Sequence, residues 1–240
     1  MKKIDVILQA RENSKRFHSK IFRNINGKSI LEIIVKEIKK SREIDRFFIA
    51  TSKFTNKKKI LKISKKYNCI PFFGQEKNVL KRFYEITNKY KVKHILRLTA
   101  DNIFISSKFI DKVCLNYKKN NYDYYSNLLK VTFPEGYTFE IFNKKTLDKI
   151  SRKSNSVDRE HVTVSVVKGL IKVHKKKNYE DKIDHSHLRL TCDYKEDFDY
   201  IKKLFYNFKK IPSYYQLLKF IKKKKLFNYT KKKSSIHYSK

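Results

Sequence analysis

The stretch QARENSKRFHSK at residues 9–20 follows the apolar run IDVIL at residues 4–8. An apolar run that ends in a polar loop is typical of the buried first strand of an α/β sheet. Open α/β sheets bind ligands at the carboxyl ends of their strands, where this loop would lie. Arg11, Arg16 and Lys20 could surround a polyphosphate there. A solvated basic loop is the alternative, and the spacing alone does not separate the two.

Short apolar runs alternate with helical patterns through the first half of the chain. The predicted strands are residues 4–8, 46–50, 69–73 and 94–99, and the predicted helices are residues 29–40, 56–67, 78–89 and 107–120. This alternation predicts a mostly parallel, Rossmann-like sheet with helices on both faces. Ile60, Leu61 and Ile63 are expected to be buried. Ser29 and Glu32 predict a capping box at the start of the first helix.

The second half of the chain has a less regular pattern. The predicted strands are residues 122–128, 137–142, 172–176 and 188–192, the predicted helices are residues 146–153, 159–168, 195–208 and 213–224, and residues 178–186 are predicted to be a loop. We expect one domain over residues 1–211, followed by a C-terminal helix and basic tail at residues 212–240.

The charge of the chain is strongly positive, at +36 over 240 residues. Such a charge invites a nucleic-acid interpretation. The lysines are spread over the whole chain, however, which indicates a general composition bias and no specific nucleic-acid site. Dense clusters occur at Lys222 to Lys225 and at Lys231 to Lys233, where a solvated tail or a weak attraction to anionic surfaces is expected.

The chain has no apolar run of the roughly 20 residues that a transmembrane helix needs. The N-terminus also lacks the pattern of a signal peptide, so we expect a cytoplasmic protein. Cys69, Cys114 and Cys192 are scattered and odd in number. They predict buried thiols, and neither disulfides nor a zinc site.

Two predicted strands end in an aspartate. Asp101 follows the strand at residues 94–99, and Asp193 follows the strand at residues 188–192. Mg²⁺ prefers carboxylate oxygens and usually joins one or two carboxylates to substrate phosphates. If both strands end at one crevice, the two aspartates could hold one or two metal ions. The alternative is that each aspartate caps the segment that follows it, above all Asp193.

The motifs of the chain, taken in order, resemble those of the cytidylyltransferases that make CMP-activated sugar acids. The nearest branch is the one typified by the spore coat polysaccharide biosynthesis protein SpsF. The matching segments are the loop at residues 9–20, IATS at 49–52, FG at 73–74 with VLKRFY at 79–84, RLTAD at 97–101, YYSN at 124–127, FPEG at 133–136 with EIF at 140–142, REHVT at 159–163, and LRLTCD at 188–193 with ED at 196–197. The resemblance spans about residues 3–205.

The resemblance implies the three-layer nucleotide-diphospho-sugar transferase fold. It also implies transfer of CMP from CTP to a sugar-acid hydroxyl, release of pyrophosphate and dependence on Mg²⁺. Surface polysaccharide or glycan biosynthesis is the expected pathway class, and the partners are CTP, a sugar acid and a second copy of the chain. The dimer would form through about residues 130–181. The implied residues are Arg11, Arg16, Lys20 and Asp101 for catalysis, Gln9, Ala10, Ser14, Arg82, Arg97, Glu140 and His161 for substrate binding, and Asp101 and Asp193 for the metal.

Several roles stay open. Arg82 could contact substrate or form a salt bridge on a helix face, and Glu140 could bind a sugar hydroxyl or be structural. His161 could contact the sugar carboxylate or transfer a proton. Glu160 and His161 could also be a helix N-terminal pair in which the glutamate favours the helix dipole.

The phosphate loop departs from the family pattern at three positions. The family has Gly before the serine and Pro-Gly before the lysine, and this chain has Asn13, His18 and Ser19 there. The family Pro after the TAD motif is replaced by Ile103. Glycine allows positive φ and close approach to phosphate. The departures therefore leave a second hypothesis, a degenerate member that binds nucleotide without transfer. The charge leaves a third, a protein that binds anionic polymers.

Overall fold

A computed structural model describes residues 3–14, 16–153, 156–208 and 210–229. Its strands are β1 (Ile4–Gln9), β2 (Asn24–Ile25), β3 (Lys28–Ser29), β4 (Ile44–Ser52), β5 (Ile70–Gly74), β6 (His94–Thr99), β7 (Tyr124–Ser126), β8 (Glu140–Asn143) and β9 (Lys176–Asn178). Its helices are α1 (Ile30–Ile38), α2 (Lys57–Tyr67), α3 (Val79–Lys89), α4 (Ser107–Asn120), α5 (Lys144–Lys153), α6 (Ser156–His161), α7 (Val164–Val167), α8 (Lys195–Phe205) and α9 (Tyr214–Lys223). Lys20–Phe22 form a turn of 3₁₀ helix.

In the described part of the chain, the main sheet has seven strands in the order β5-β4-β1-β6-β8-β7-β9. β1 lies parallel to β4 and β6, and Gln9 is level with Ala50 on one side and with Thr99 on the other. β8 runs antiparallel to β6 and β7. The predicted mostly parallel sheet is therefore confirmed. Because β1, β4 and β6 end at the same edge, the loop after β1 lies beside the residues after β6.

Helices cover both faces of this sheet, as the sequence predicts. Side chains of β1 alternate between two cores, with Val6 and Leu8 in one and Ile7 in the other. The first core also contains residues of α1 and α4, and the second contains residues of α3 and α5. A strand that is buried on both faces is apolar throughout, which explains why residues 4–8 are apolar almost without a break.

In the first half of the chain, the helices begin directly after N-capping residues. Ser29 accepts a hydrogen bond from the backbone N–H of Glu32 at 3.2 Å. The Glu32 carboxylate, however, does not complete a capping box, because it accepts from Lys66 and Tyr67 at 2.8 and 2.9 Å. The prediction that Leu61 is buried is wrong, since 42% of it is exposed. Leu61 lies on the outer face of α2, which is exposed to solvent.

The second half contains the larger errors of prediction. The segment at residues 188–192 is not a strand of the sheet: it forms isolated bridges from Arg189 to Glu135 and from Leu188 to Tyr229. The helix predicted at 159–168 is broken, because Val162 has a φ of 58° and α6 ends before it. The strands β7, β8 and β9 are also shorter than predicted or start later.

The C-terminal part of the described chain ends in α9, whose start at Tyr214 agrees with the predicted helix. Lys222 to Lys225 are exposed after its last buried turn. Lys231 to Lys233, and with them most of the predicted basic tail, lie outside the described residues. Among the described helices, none combines the length and apolar character needed to cross a bilayer.

Candidate active site

The loop after β1 is folded back on itself by Glu12. The Glu12 backbone carbonyl accepts hydrogen bonds from the N–H groups of Ser14 and Ser19, at 2.8 and 2.9 Å. Its carboxylate accepts from the Ser19 hydroxyl at 2.9 Å and from the N–H of Asn56, which caps α2, at 2.7 Å. Glu12 therefore sets the shape of the loop. The sequence analysis missed this residue, although a single carboxylate among the cations of the loop was a signal.

Ser19 lies in the left-handed region, with a φ of 54° and a ψ of 23°. This is the conformation that a glycine adopts without strain, and Ser19 stands at the family's glycine position. Asn13, at the other glycine position of the loop, is not among the positive-φ residues of the described chain. The two departures therefore differ: one places a side chain at a strained position, and the other does not.

Lys20 follows Ser19 at the start of the 3₁₀ turn and points into the site. Its Nζ donates to Asp193 Oδ1 at 2.8 Å and to Asp101 Oδ2 at 3.3 Å. Arg16 Nη2 contacts the same Asp193 oxygen at 2.9 Å. The Thr99 hydroxyl donates to the other Asp101 oxygen. We call Arg16, Lys20, Asp101 and Asp193 the cation–aspartate cluster, and it contains four of the residues that the sequence places in the site.

Asp193 reaches this cluster although residues 188–192 are not a sheet strand. Leu190 donates its N–H to the carbonyl of Glu135 at 2.7 Å, and Cys192 donates to the carbonyl of Asp101 at 3.3 Å. Gly136, with a φ of 92°, lets the preceding turn approach closely, because a Cβ there would lie 2.4 Å from the backbone nitrogen of Thr191. Backbone hydrogen bonds to Glu135 and Asp101, and not the predicted sheet strand, therefore position Asp193.

The capping alternative for Asp193 is not what the structure shows. Asp197 Oδ2, not Asp193, accepts the N–H of Tyr194 at the start of α8, at 3.0 Å. The Asp193 carboxylate instead contacts Lys20, Arg16 and, at 3.5 Å, Arg189. Arg189 is fully buried and also contacts Glu135 and Asp197. It holds the Asp193 side chain from the inner side of the site.

Charge pairing decides the protonation of the cluster. Burial opposes the charged form of Lys20, but Asp101 and Asp193 outweigh it and raise the pKa of the amine above its usual value. Burial likewise opposes ionisation of Asp193, and Lys20 and Arg16 outweigh it and lower the pKa of that carboxyl. Lys20 and Asp193 therefore form an ion pair at neutral pH.

Arg11 faces a different partner. Its Nη2 lies 2.9 Å from Glu160 Oε1, and both side chains are partly exposed. Glu160 and His161 are the last two residues of α6, so the prediction of a helix N-terminal pair is wrong. Burial lowers the pKa of His161, and Arg97 and Arg11 lower it further against the opposing effect of Glu160. The imidazole is therefore neutral at pH 7.

Glu140 is the centre of a second ionic group. Its carboxylate accepts from Arg97, from Thr163 and, at 2.8 Å, from the Tyr124 hydroxyl. Arg97 Nη2 also donates to Gln9 Oε1 at 3.0 Å. Arg97, Tyr124, Glu140 and Thr163 form what we call the Glu140 cluster, and Glu140 is 1% exposed. This burial argues against direct contact of Glu140 with a substrate and favours its structural alternative.

Arg82 does not form the helix-surface salt bridge that was one of its two interpretations. It is fully buried, and its Nη1 donates to the carbonyls of Gln75 and Glu76 after β5. Gly74 makes room for it, since a Cβ there would lie 2.7 Å from Arg82 Cγ. Within the described residues, Arg82 Nε and Nη2 have no hydrogen-bond partner. Burial is the main reason that the pKa of Arg82 falls to about 10.

The remaining predicted site residues line the start of the loop. Ala10 is buried, and its N–H donates to the carbonyl of Ala50 at 3.1 Å. The carbonyl of Gln9 accepts from the N–H of Ala100 at 2.9 Å. Ser14 is buried within the loop. These contacts fix the loop backbone against β4 and β6.

The donor set fits a magnesium ion that is shared with a ligand. Among the described residues, no group of three or more histidine, cysteine or acidic side chains could hold a metal by itself. Two carboxylates that converge on one cation are present, however, since Asp101 and Asp193 both contact the Lys20 amine. One or two carboxylates with phosphate oxygens are the usual ligands of Mg²⁺ in nucleotide sites.

Comparison with known sequences assigns the chain to a family. The family model described as Cytidylyltransferase matches residues 6–233. The spore coat polysaccharide biosynthesis protein SpsF of Bacillus subtilis is 30% identical over 213 residues, which cover 85% of this chain and 87% of that protein. The uncharacterized protein MJ1063 of Methanocaldococcus jannaschii is 35% identical over 162 residues, which cover 67% of this chain and 65% of that protein.

Solved structures agree with the sequence comparison. A cytidylyltransferase from Leptospira borgpetersenii superposes with a TM-score of 0.88 at 28% identity, covering 96% of this chain and 99% of that one. A CMP:2-keto-3-deoxy-manno-octonic acid synthetase, solved with CTP, has a TM-score of 0.64 at 11% identity, covering 85% and 99%. The second similarity concerns the fold alone.

Proposed function

The chain belongs to the cytidylyltransferase family, and from this membership we propose that it transfers CMP from CTP to a hydroxyl group of a sugar acid. Pyrophosphate is the leaving group. The observation that carries the proposal is the convergence of Arg16, Lys20, Asp101 and Asp193 in one cluster. Cations beside two carboxylates are what in-line substitution at a phosphorus atom needs, because that reaction depends on alignment and charge neutralisation.

In this proposal, Arg16 and Lys20 bind the triphosphate, with Arg11 as a further cation and Ser14 as a hydroxyl donor. Their positive charges stabilise the pyrophosphate as it leaves. Asp101 and Asp193 would hold Mg²⁺, which when bound neutralises phosphate charge and activates the incoming oxygen. Gln9 and Ala10 shape the start of the loop through their backbone contacts with β6 and β4.

The acceptor would bind on the side of His161 and Arg11. The neutral His161 imidazole suits hydrogen bonding or acceptance of a proton from the acceptor hydroxyl better than an ion pair with a carboxylate. Arg11, partly exposed, is the better partner for the carboxylate of a sugar acid. Arg97 and Glu140 are positioning groups for this part of the site, because both are buried and contact each other.

Arg82 acts on the loop after β5 in this scheme. The positive charge of Arg11 contributes, after burial, to the lowered pKa of Arg82. Its contacts with the carbonyls of Gln75 and Glu76 fix the backbone of that loop. We therefore propose that Arg82 maintains the shape of the substrate site.

The name of the Bacillus relative refers to spore coat polysaccharide biosynthesis. It supports a role of this chain in making a surface polysaccharide or another glycan. A homodimer through residues 130–181 belongs to the same proposal, and exposed Val131, Val157 and Leu170 in that segment favour it. Gel filtration with light scattering at several concentrations tests the dimer.

The experiment that tests the activity is pyrophosphate release from CTP and Mg²⁺ with a panel of sugar acids. We expect release with CTP and one class of sugar acid, and none without an acceptor. A thermal-shift screen of CTP, UTP, ATP and GTP accompanies it, because a ligand that binds only the folded state raises its stability. Stabilisation by CTP without release for any acceptor would favour the degenerate member instead.

A further inference from the structure

Lys20 occupies the position between two carboxylates that the proposed function gives to a metal ion. Its Nζ lies 2.8 Å from Asp193 Oδ1 and 3.3 Å from Asp101 Oδ2, and its side chain is 10% exposed. Arg16 contacts the same Asp193 oxygen. In the protein alone, the two aspartates are therefore neutralised by cations of the chain itself.

An ammonium group and a divalent ion cannot share this position. Both need the facing oxygens of Asp101 and Asp193, and two cations at contact distance repel each other strongly where solvent is largely excluded. A metal ion that enters alone must displace the Lys20 amine and leave it without its carboxylates. A triphosphate changes this balance, because its anionic oxygens offer Lys20 and Arg16 a new partner.

Resting on the proposed function, we propose that Lys20 and Arg16 are exchangeable counter-ions of the metal site. They keep a divalent ion away from Asp101 and Asp193 until a nucleoside triphosphate binds to Lys20 and Arg16. Metal and nucleotide then bind cooperatively, and by linkage each increases the affinity of the other by the same factor.

Arg189 shows what a permanent counter-ion of the same aspartate looks like. It is fully buried and contacts three carboxylates, those of Glu135, Asp193 and Asp197. Lys20 instead carries its charge on a flexible four-carbon stem, next to a loop that is open to solvent at Arg16. The two cations that contact Asp193 have different roles. Arg189 positions the Asp193 carboxylate, whereas Lys20 can dissociate from it.

The test measures Mn²⁺ binding to the nucleotide-free protein, by the paramagnetic resonance signal of free Mn²⁺. Lys20→Met removes the competing charge and keeps most of the side-chain volume. We expect Mn²⁺ to bind at least about tenfold more tightly than to the parent protein, which corresponds to about 1.4 kcal/mol. Lys20→Gln provides a second variant if Lys20→Met does not fold.

Three control variants separate competition from a general change of charge. Arg11→Met removes one positive charge from the same loop, but Arg11 pairs with Glu160 and not with the aspartates. We expect it to change the Mn²⁺ affinity less than about threefold, because a charge that is not in contact acts through screened solvent. Lys20→Arg keeps the charge and should keep Mn²⁺ binding weak. Asp101→Asn in the Lys20→Met background should abolish the gain.

The nucleotide arm tests the cooperativity. CTP should tighten Mn²⁺ binding to the parent protein at least about tenfold, and this factor should shrink in Lys20→Met. The proposal is overturned if Lys20→Met binds Mn²⁺ no more tightly than the parent, or if Arg11→Met gives an equal gain. If CTP binds under no condition while Lys20→Met still gains Mn²⁺ affinity, the proposed function fails and the competition at the aspartates stands.

Discussion

The cation–aspartate cluster and the Glu140 cluster both pair cations with carboxylates, and they differ in access to solvent. In the first, the Arg16 side chain is 45% exposed and that of Asp101 is 25% exposed. In the second, Glu140 is 1% exposed, and its carboxylate accepts from three fixed donors. A charged group that is buried with all its partners is structural, whereas the exposed edge at Arg16 and Asp101 gives a ligand access to Lys20 and Asp193 beneath it.

The comparison predicts the largest loss of stability at Glu140. Glu140→Gln removes the negative charge of the buried Arg97–Glu140 ion pair, and breaking a buried pair in this way costs about 3–5 kcal/mol of the free energy of unfolding. Urea unfolding followed by circular dichroism measures this. Glu180→Gln is the matched control, because Glu180 pairs with Lys130 at the surface and its side chain is 41% exposed. Equal stability of the two variants would mean that the Glu140 cluster is not structural.

The second prediction concerns Asp101, whose replacement should lower activity and leave stability nearly unchanged. Asp101→Asn should lower the rate of pyrophosphate release by about 10²–10³-fold, the scale seen when a group that stabilises transition-state charge is removed. Its unfolding midpoint should stay close to that of the parent, since Lys20 keeps Asp193 as a partner. Asp45→Asn serves as the control, because Asp45 pairs at 3.7 Å with Lys3, away from the cluster. Unchanged turnover would remove Asp101 from the site.

The contrast between the clusters also explains which parts of the molecule could be predicted from sequence. The parallel half could be predicted because its strands are buried on both faces and its helix caps are local, as at Ser29 and Asn56. Convergence of Asp101 with Lys20 follows from strand order alone, since adjacent parallel strands end at one edge. The motif pointed to Asp193, which the structure places beside Lys20 and Arg16, although the strand predicted before it is wrong.

What the sequence could not provide are the partners of the buried charges. Glu140 and Arg97 lie on β8 and β6, and that the two strands are antiparallel neighbours is a long-range fact with no local signal. The break at Val162 is of the same kind: a valine rarely adopts a positive φ, so tertiary contacts have overridden its propensity. The prediction for Leu61 is wrong for a different reason. Helical periodicity does not indicate how wide the buried face of a helix is.

The third prediction concerns the exposed edge of the cation–aspartate cluster. Arg16→Ala should raise the KM for CTP or lower kcat by about tenfold, which is modest because half-exposed ion pairs are screened by water. Stability should hardly change for the same reason. Arg42→Ala, at an exposed position outside the cluster, is the control for a lost surface charge. If neither kinetic constant moves in Arg16→Ala, the phosphate-loop assignment is wrong.

The smallest effects are expected at the two positions where the family loop has glycine. Ser19→Gly relieves a left-handed side chain, an effect of about 1–2 kcal/mol, but it loses the hydrogen bond to Glu12 and makes the unfolded chain more flexible. These terms oppose each other, so the free energy of unfolding should change by less than about 1 kcal/mol. Asn13→Gly has no such strain to relieve, because Asn13 is not among the positive-φ residues of the described chain. It should therefore be destabilised by about 0.5–1 kcal/mol.

Urea unfolding of both variants measures this difference. A loss of more than about 2 kcal/mol in Ser19→Gly would show that the bond to Glu12 outweighs the strain. The serine would then be a loop anchor in its own right, and its exposed loop would depend on a fixed contact much as the Glu140 cluster does. A gain in Ser19→Gly together with a loss in Asn13→Gly would mean the opposite: the chain tolerates its serine at a cost, and the loop keeps its shape through the backbone bonds of Glu12 to Ser14 and Ser19.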